Sequence, residues 1–225
     1  REVSRAIGAD SRIGPKFLTS GPGFGGSCFK KDILNLVYLC KYYDLNEVAA
    51  FWESVVELNN WHQHRISNLI VKKLFGTVSG KKICVCGFAF KANTNDTRES
   101  AAIMICKDLL NEGAILHIHD PKVDPNQISK VLNMESHDLN SKLNENNLFT
   151  NNGCWISIKN IFDGLEGADA AIFLTEWDEY EEINWDKASE IMRKPSWVFD
   201  TRSITNAHEI IKNKINLWGI GDGTI

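Results

Sequence analysis

No apolar run in this chain approaches the roughly 18 residues a helix needs to cross a bilayer, so no membrane-spanning helix is expected. Positive charge is not in excess either. Lys and Arg number 25 against 29 Asp and Glu, and the net charge of −4 excludes a general nucleic-acid surface, which needs a basic stripe. C-x-x-C spacing is missing among the six cysteines (Cys28, Cys40, Cys84, Cys86, Cys106 and Cys154). They fall in or beside expected regular elements, so they read as reduced thiols of a cytoplasmic protein, with neither a disulfide framework nor a metal site. An initiator methionine and a signal peptide are lacking too. Residues 1–6 already read as helix, closed by Gly8, as in a chain cut from something longer. Nor does any stretch supply a strand–G-x-G-x-x-G–helix unit. What is present is ordinary for a globular protein: 225 residues, 43% hydrophobic. That is enough for one large domain, or for a helical segment plus a domain of about 150 residues.

The stretch that organises the rest is Gly21-Pro22-Gly23-Phe24-Gly25-Gly26-Ser27-Cys28-Phe29-Lys30-Lys31-Asp32. Phe29, Ile33, Leu36, Val37, Cys40 and Tyr43 recur at helical intervals, so a helix begins at Cys28. The open N–H groups and positive dipole end there favour an anion. Asp32 lies one turn on, on the same face. The glycines let backbone approach a bulky ligand without Cβ clashes. Together these residues fit a nucleophilic thiol beside a carboxylate under a ligand-cradling loop. The competing reading is an inert packing cysteine, the commoner role of the residue. Gly21, Gly23 and Gly26 also match G-x-G-x-x-G, but no strand precedes them and a long helix follows, so the dinucleotide fingerprint is rejected.

Gly23 to Asp32 resembles the active-site signature of the UDP-glucose/GDP-mannose dehydrogenase family, in its UDP-glucose-oxidising branch. Arg12-Ile13-Gly14, Gly87-Phe88-Ala89-Phe90-Lys91, Asp96-Thr97-Arg98-Glu99-Ser100, Thr175-Glu176-Trp177 and Asp200-Thr201-Arg202 fit in the same order. The likeness spans nearly the whole chain but only the second half of the family's protein. It implies NAD-dependent oxidation of UDP-glucose to UDP-glucuronate through a cysteine thiohemiacetal and thioester, with the NAD-binding domain lying upstream. It assigns catalysis to Cys28 and Asp32, and sugar-nucleotide contacts to Phe17, Leu18, Phe24, Gly25, Phe90, Lys91 and Arg202. Arg12 would reach substrate in a neighbouring subunit, and Lys31 and Arg98 would touch the cofactor. Thr19 departs from a position that is lysine in some members. The resemblance further implies a homodimer or higher homo-oligomer. Two alternatives stay open: oxidation of another sugar nucleotide, such as GDP-mannose or a UDP-amino sugar, and a non-catalytic UDP-sugar-binding and dimerising module.

The expected fold class is α/β. Residues 1–79 form a helical dimerisation unit carrying the cysteine loop, and residues 80–225 a Rossmann-like parallel-sheet domain that binds the UDP-sugar. A helix of about 30 residues runs from near Glu47 to Gly76, with Val48, Phe51, Trp52, Val55, Leu58, Trp61 and Ile66 as its apolar period; its length suggests a strut and oligomer contact. His62 and His64 lie two apart and do not converge. Strands are expected at 82–87, 115–120, 154–158, 170–174, 197–200 and 216–219, alternating with helices. Asp96 or Thr97 should cap the helix after the first strand, placing Arg98 in its first turn against the dipole. His117 and His119 share a strand face in an edge or packing role, and Asp120 is structural. Residues 134–152, rich in asparagine, read as a long surface loop.

Overall fold

Helical spacing governs the first third of the chain and strand–helix alternation the rest. The computed structural model follows this division and describes residues 2–15, 18–137 and 153–221. A short helix α1 (Glu2–Gly8) leads through an irregular segment to α2 (Phe29–Tyr42) and α3 (Asn46–Lys73). Asp44, at a left-handed φ of 59°, ends α2 and lets α3 fold back on it. Ile33, Val37 and Cys40 of α2 pack on Ala49 and Val56 of α3, with Phe24 and Trp52 at the margin. The 28 residues of α3 reach about 42 Å at 1.5 Å per residue.

The buried stripe of α3 differs from the expected one. Ala49, Val56, Asn59, Gln63, Ile66, Ser67 and Ile70 are buried, whereas Val48, Phe51, Leu58 and Trp61 face outward. The inward face is polar in its middle because it meets exposed backbone of the glycine loop, which requires hydrogen-bonding partners. Beyond Gln63 the stripe turns apolar again, and Ile66, Ile70 and Leu74 join the same core as the strands.

Six strands, β1 (Lys82–Cys86), β2 (Ile115–His119), β3 (Cys154–Ser157), β4 (Ala170–Phe173), β5 (Trp197–Asp200) and β6 (Asn216–Gly219), form one parallel sheet in the order β3-β2-β1-β4-β5-β6. Helices α4 (Ala101–Asn111), α5 (Pro125–Leu132), α6 (Ile161–Leu165), α7 (Trp185–Ile191) and α8 (Ala207–Lys212) connect them. The strand order reverses between β1 and β4, so the crevice outside their carboxyl ends is the natural ligand position of such a sheet. Asp120 fixes that end: its carboxylate accepts from the Phe88 and Ala89 amides at 2.7 and 3.0 Å and from Trp177 Nε1 at 3.3 Å.

Two local expectations need correction. Helix α4 is capped by Ser100, whose side chain accepts from the Ala102 amide. Asp96 instead accepts from the Arg98 amide at 2.9 Å, and Glu99 takes a left-handed φ of 53°. Arg98 therefore precedes the helix and does not oppose its dipole. Helix α5, which the sequence pattern did not flag, starts where Asp124 caps and Pro125 takes the first helical position. Of the asparagine-rich segment, residues 138–152 lie outside the described residues. His137 forms a parallel bridge with Ile156, and Trp155 Nε1 donates to the Met134 carbonyl.

β2 is an interior strand, so its histidines pack and take no edge role. His119 bonds Tyr180 Oη and the Lys159 carbonyl. His117 Nδ1 is buried without a hydrogen-bond partner among the described residues. Burial, with Lys82 the lesser cause, pushes the His117 imidazole down to about 4. A base depressed on folding takes up its proton first in the unfolded chain. Stability should thus be full above pH ~6.5 and fall as pH drops towards 4, by about 1–3 kcal/mol. Denaturant unfolding at pH 7.5 and 4.5 checks this. His117→Phe should flatten the pH dependence, and an unchanged slope in that variant would contradict the assignment.

Candidate functional site

Cys28 occupies the N-cap position of α2, and its carbonyl accepts from the Asp32 amide at 2.8 Å, closing the first helical turn. Its side chain caps nothing in the helix. The thiol is exposed, whereas Cys40, Cys84, Cys86 and Cys106 are buried and Cys154 is half-buried. Burial pushes the Cys106 thiol far up and, reinforced by Cys84, the Cys86 thiol as well, so both stay protonated and inert. Cys28, Lys31, Asp32 and Arg98, together with Ser27 and Glu99, line one open depression of about 490 Å³. Two cations and two anions thus surround the thiol. Among the described residues no group of three His, Cys, Asp or Glu could hold a metal ion.

The loop ahead of Cys28 is held from two sides. On one side α3 supplies side chains: Asn59 Oδ1 accepts from the Phe24 amide at 2.9 Å and Asn59 Nδ2 donates to the Phe24 carbonyl at 3.1 Å. His62 Nε2 lies 3.1 Å from the Gly21 carbonyl. On the other side stands the 96–100 turn, where the Gly26 amide donates to the Arg98 carbonyl at 2.9 Å. Lys30 Nζ meets Glu99 Oε2 at 2.8 Å. The glycines serve this docking. A Cβ on Gly25 would stand 2.3 Å from the Glu99 carbonyl oxygen, and one on Gly26 3.0 Å from the Phe90 ring. The backbone approach expected towards a ligand is, at these positions, an approach to the protein itself.

Arg98 donates through Nε and Nη2 to the Asp96 carboxylate. That pairing holds the Asp96 carboxyl below its usual range and raises the guanidinium. Around the switch point, Arg202 Nε donates to the Leu174 carbonyl at 2.8 Å and Nη2 to the Phe90 carbonyl at 3.2 Å. Glu176 Oε2 lies 3.2 Å from the same Nε. The single Nε–H aims at Leu174, so the carboxylate contributes charge attraction without a hydrogen bond. Burial lowers the Arg202 pKa and Glu176 opposes that shift. Gly21 abuts the guanidinium: a Cβ there would stand 3.1 Å from Arg202 Nη1. Phe90 links the two groups, its ring under Gly26 and its carbonyl on Arg202. Lys91 is exposed over that ring.

Among the residues singled out from sequence, Cys28, Asp32, Lys31 and Arg98 thus share one depression, while Gly25, Phe90 and Arg202 are not among its lining and meet one another through Phe90. Phe24 packs edge-on against Phe29 at 4.7 Å between ring centres. Leu18 is half-buried. Arg12 is exposed and paired with Asp10, whose carboxyl it holds low. Phe17 lies outside the described residues. Asn59, Glu99 and Glu176 were not singled out as site residues. Sequence spacing offered no signal for Asn59, because it shares the polar middle of the inward face with Gln63 and Ser67.

The family model described as the UDP-binding domain of the UDP-glucose/GDP-mannose dehydrogenase family matches residues 84–207, and the model of that family's central domain matches residues 1–61. UDP-glucose 6-dehydrogenase 3 of Arabidopsis thaliana is 44% identical over 221 residues, 98% of this chain and 46% of that protein. The UDP-glucose 6-dehydrogenase of Drosophila melanogaster is 45% identical over 208 residues, 92% of this chain and 42% of that protein. Among solved structures, a UDP-glucose dehydrogenase from Pyrobaculum islandicum aligns at TM-score 0.67 and 27% identity, over 92% of this chain and 41% of that one. An NDP-N-acetyl-D-galactosaminuronic acid dehydrogenase from Methanosarcina mazei shares the fold at TM-score 0.70 and 19% identity, over 98% and 43%. The chain therefore spans less than half the length of these relatives.

Proposed function

Because this chain belongs to the UDP-glucose/GDP-mannose dehydrogenase family, we propose that it carries the nucleophile and the sugar-nucleotide site of an NAD-dependent UDP-glucose 6-dehydrogenase. The observation that carries this reading is the single exposed cysteine at a helix start, in one depression with Lys31, Asp32 and Arg98. Oxidation of a primary alcohol to a carboxylate passes through an aldehyde that must not escape. The Cys28 thiolate adds to the aldehyde carbon and its oxygen takes a proton, giving a thiohemiacetal. At the acid oxidation level the same carbon is held as a thioester, and water cleaves it to UDP-glucuronate and the free thiol. Asp32, one turn along the helix, orients or activates that water.

Lys31 and Arg98 at the rim fit a pyrophosphate, so they would hold one end of the dinucleotide, which supplies the hydride-accepting chemistry when bound. This sheet is not its main seat, since Gly87-Phe88-Ala89 after β1 has no glycine-rich phosphate loop. Phe90, Lys91 and Arg202, on loops at the strand reversal, together with Leu18, Phe24 and Gly25, take the UDP-sugar. The residue 17 side chain is assigned to the same site by family resemblance. Arg12, exposed and paired with Asp10 among the described residues, would reach a neighbouring subunit. The outward Phe51, Leu58 and Trp61 of α3 and Tyr38 and Tyr42 of α2 are the surface proposed for a homodimer or higher homo-oligomer. Among the described residues no helix is long and apolar enough to cross a membrane, and six free thiols support a cytoplasmic setting.

The complete gene product, supplied with UDP-glucose and NAD, should yield two reduced dinucleotides per sugar. It should turn over UDP-glucose at least about tenfold better, by kcat/KM, than GDP-mannose or a UDP-amino sugar. Equal or reversed preference would move the assignment to another sugar nucleotide. UDP binding without turnover would favour a non-catalytic module.

A further inference from the structure

Asn59 is nearly buried on α3, 35 positions from the loop it holds. Its amide meets Phe24 as a neighbouring strand would, accepting from the main-chain N–H and donating to the main-chain carbonyl. Phe24 belongs to no strand of the sheet, and among the described residues these two groups find their partner in that side chain. Gly23 makes the approach possible. At φ 125° it carries no Cβ, and one placed there would stand 2.7 Å from Asn59 Oδ1 and 3.2 Å from Gln63 Nε2. From Phe24 the contact continues edge-on to Phe29, the first residue of α2 and the neighbour of Cys28.

We propose that Asn59 is a positioning residue: by clamping both backbone groups of Phe24 it fixes the loop that receives the sugar nucleotide and sets the approach of Cys28. This rests on the functional reading above only for the identity of the ligand. The side chain needs one donor and one acceptor in fixed places, and that requirement distinguishes it from a residue that merely fills space. Asn59→Asp tests it. An ionised carboxylate accepts from the Phe24 amide but turns a second lone pair on the Phe24 carbonyl. A protonated carboxyl again offers one donor and one acceptor in the same shape. Burial raises the pKa of such a carboxyl, bringing its titration into an accessible range.

In the complete gene product, UDP-glucose affinity is measured by calorimetry at pH 5 and pH 8 for wild type, Asn59→Asp and Asn59→Ala. Wild type serves as the internal reference for His62, the titratable neighbour on the same helix, and for Lys30 and Glu99 across the loop. The Asp variant should bind at least about tenfold more weakly than wild type at pH 8 and within about threefold of it at pH 5. The Ala variant should be weak at both. Hydrogen exchange at the Phe24 amide, slow in wild type, should become at least about tenfold faster in the Ala variant. A deficit of the Asp variant that is the same at both pH values, or Phe24 exchange unchanged in the Ala variant, overturns the proposal. Wild type that fails to bind UDP-glucose overturns the functional reading instead, and Phe24 exchange still decides whether the clamp exists.

Discussion

Gly25→Ala is expected to lower turnover about a hundredfold while shifting the melting temperature by no more than about 4 °C. The added Cβ would sit 2.3 Å from the Glu99 carbonyl oxygen and 3.0 Å from its carbon, with Phe90 Cβ at 3.3 Å closing the side. Relief to an ordinary contact requires the loop and the 96–100 turn to part by about 1 Å, a displacement that can cost two orders of magnitude when reacting groups depend on it. Glu99 cannot easily yield, since it sits in the left-handed region at φ 53° and its carboxylate is tied to Lys30. A non-glycine residue in that region marks local strain held by its surroundings. The core is untouched, because the strands and α4 pack beneath this turn. Steady-state kinetics and a thermal melt of the complete gene product check both halves. Wild-type turnover in the variant would mean that docking of the loop on the turn is dispensable.

A second and larger effect is expected at Cys28. Alanine there removes the sulfur that, on this reading, holds the aldehyde carbon first as a thiohemiacetal and then as a thioester. Phe90, Lys91 and Arg202, the residues proposed to hold the sugar nucleotide, remain, so its binding should survive while the route from aldehyde to acid is lost. Acid formation should fall by at least about 10³-fold. UDP-glucose affinity should stay within about threefold of wild type, since the thiol contributes chemistry more than contact area. A parallel loss of binding would instead mean that the cysteine shapes the loop.

How much of this was legible in the sequence varied with the physics of each element. The strands β4 and β5 were readable almost to the residue, because strands buried on both faces are short continuous apolar runs. Cys28 and Asp32 were readable because their relation is local, one helical turn. The α3 stripe was not. Its outward face carries Phe51, Leu58 and Trp61 while its inward face carries Asn59, Gln63 and Ser67, which inverts the rule that apolar residues point in. One cause is visible only in three dimensions, an irregular glycine loop needing polar partners such as Asn59; the apolar outer surface is the one proposed above for a second chain. Arg98 was misplaced because Asp96 and Thr97 look like caps, although Ser100 is the one that caps the helix. Only the left-handed turn at Glu99 shows that Ser100 starts the helix. Asn59, Glu99 and Glu176 act through backbone or charge on segments far away in sequence, a relation that local spacing does not encode.

The most direct test of the central claim is the rate of UDP-glucuronate formation by the complete gene product carrying Cys28→Ala, with sugar nucleotide and NAD at saturation. The account predicts that acid production all but stops although UDP-glucose still binds. Acid appearing at the wild-type rate would contradict it, because the half-oxidised sugar would then need no sulfur at residue 28.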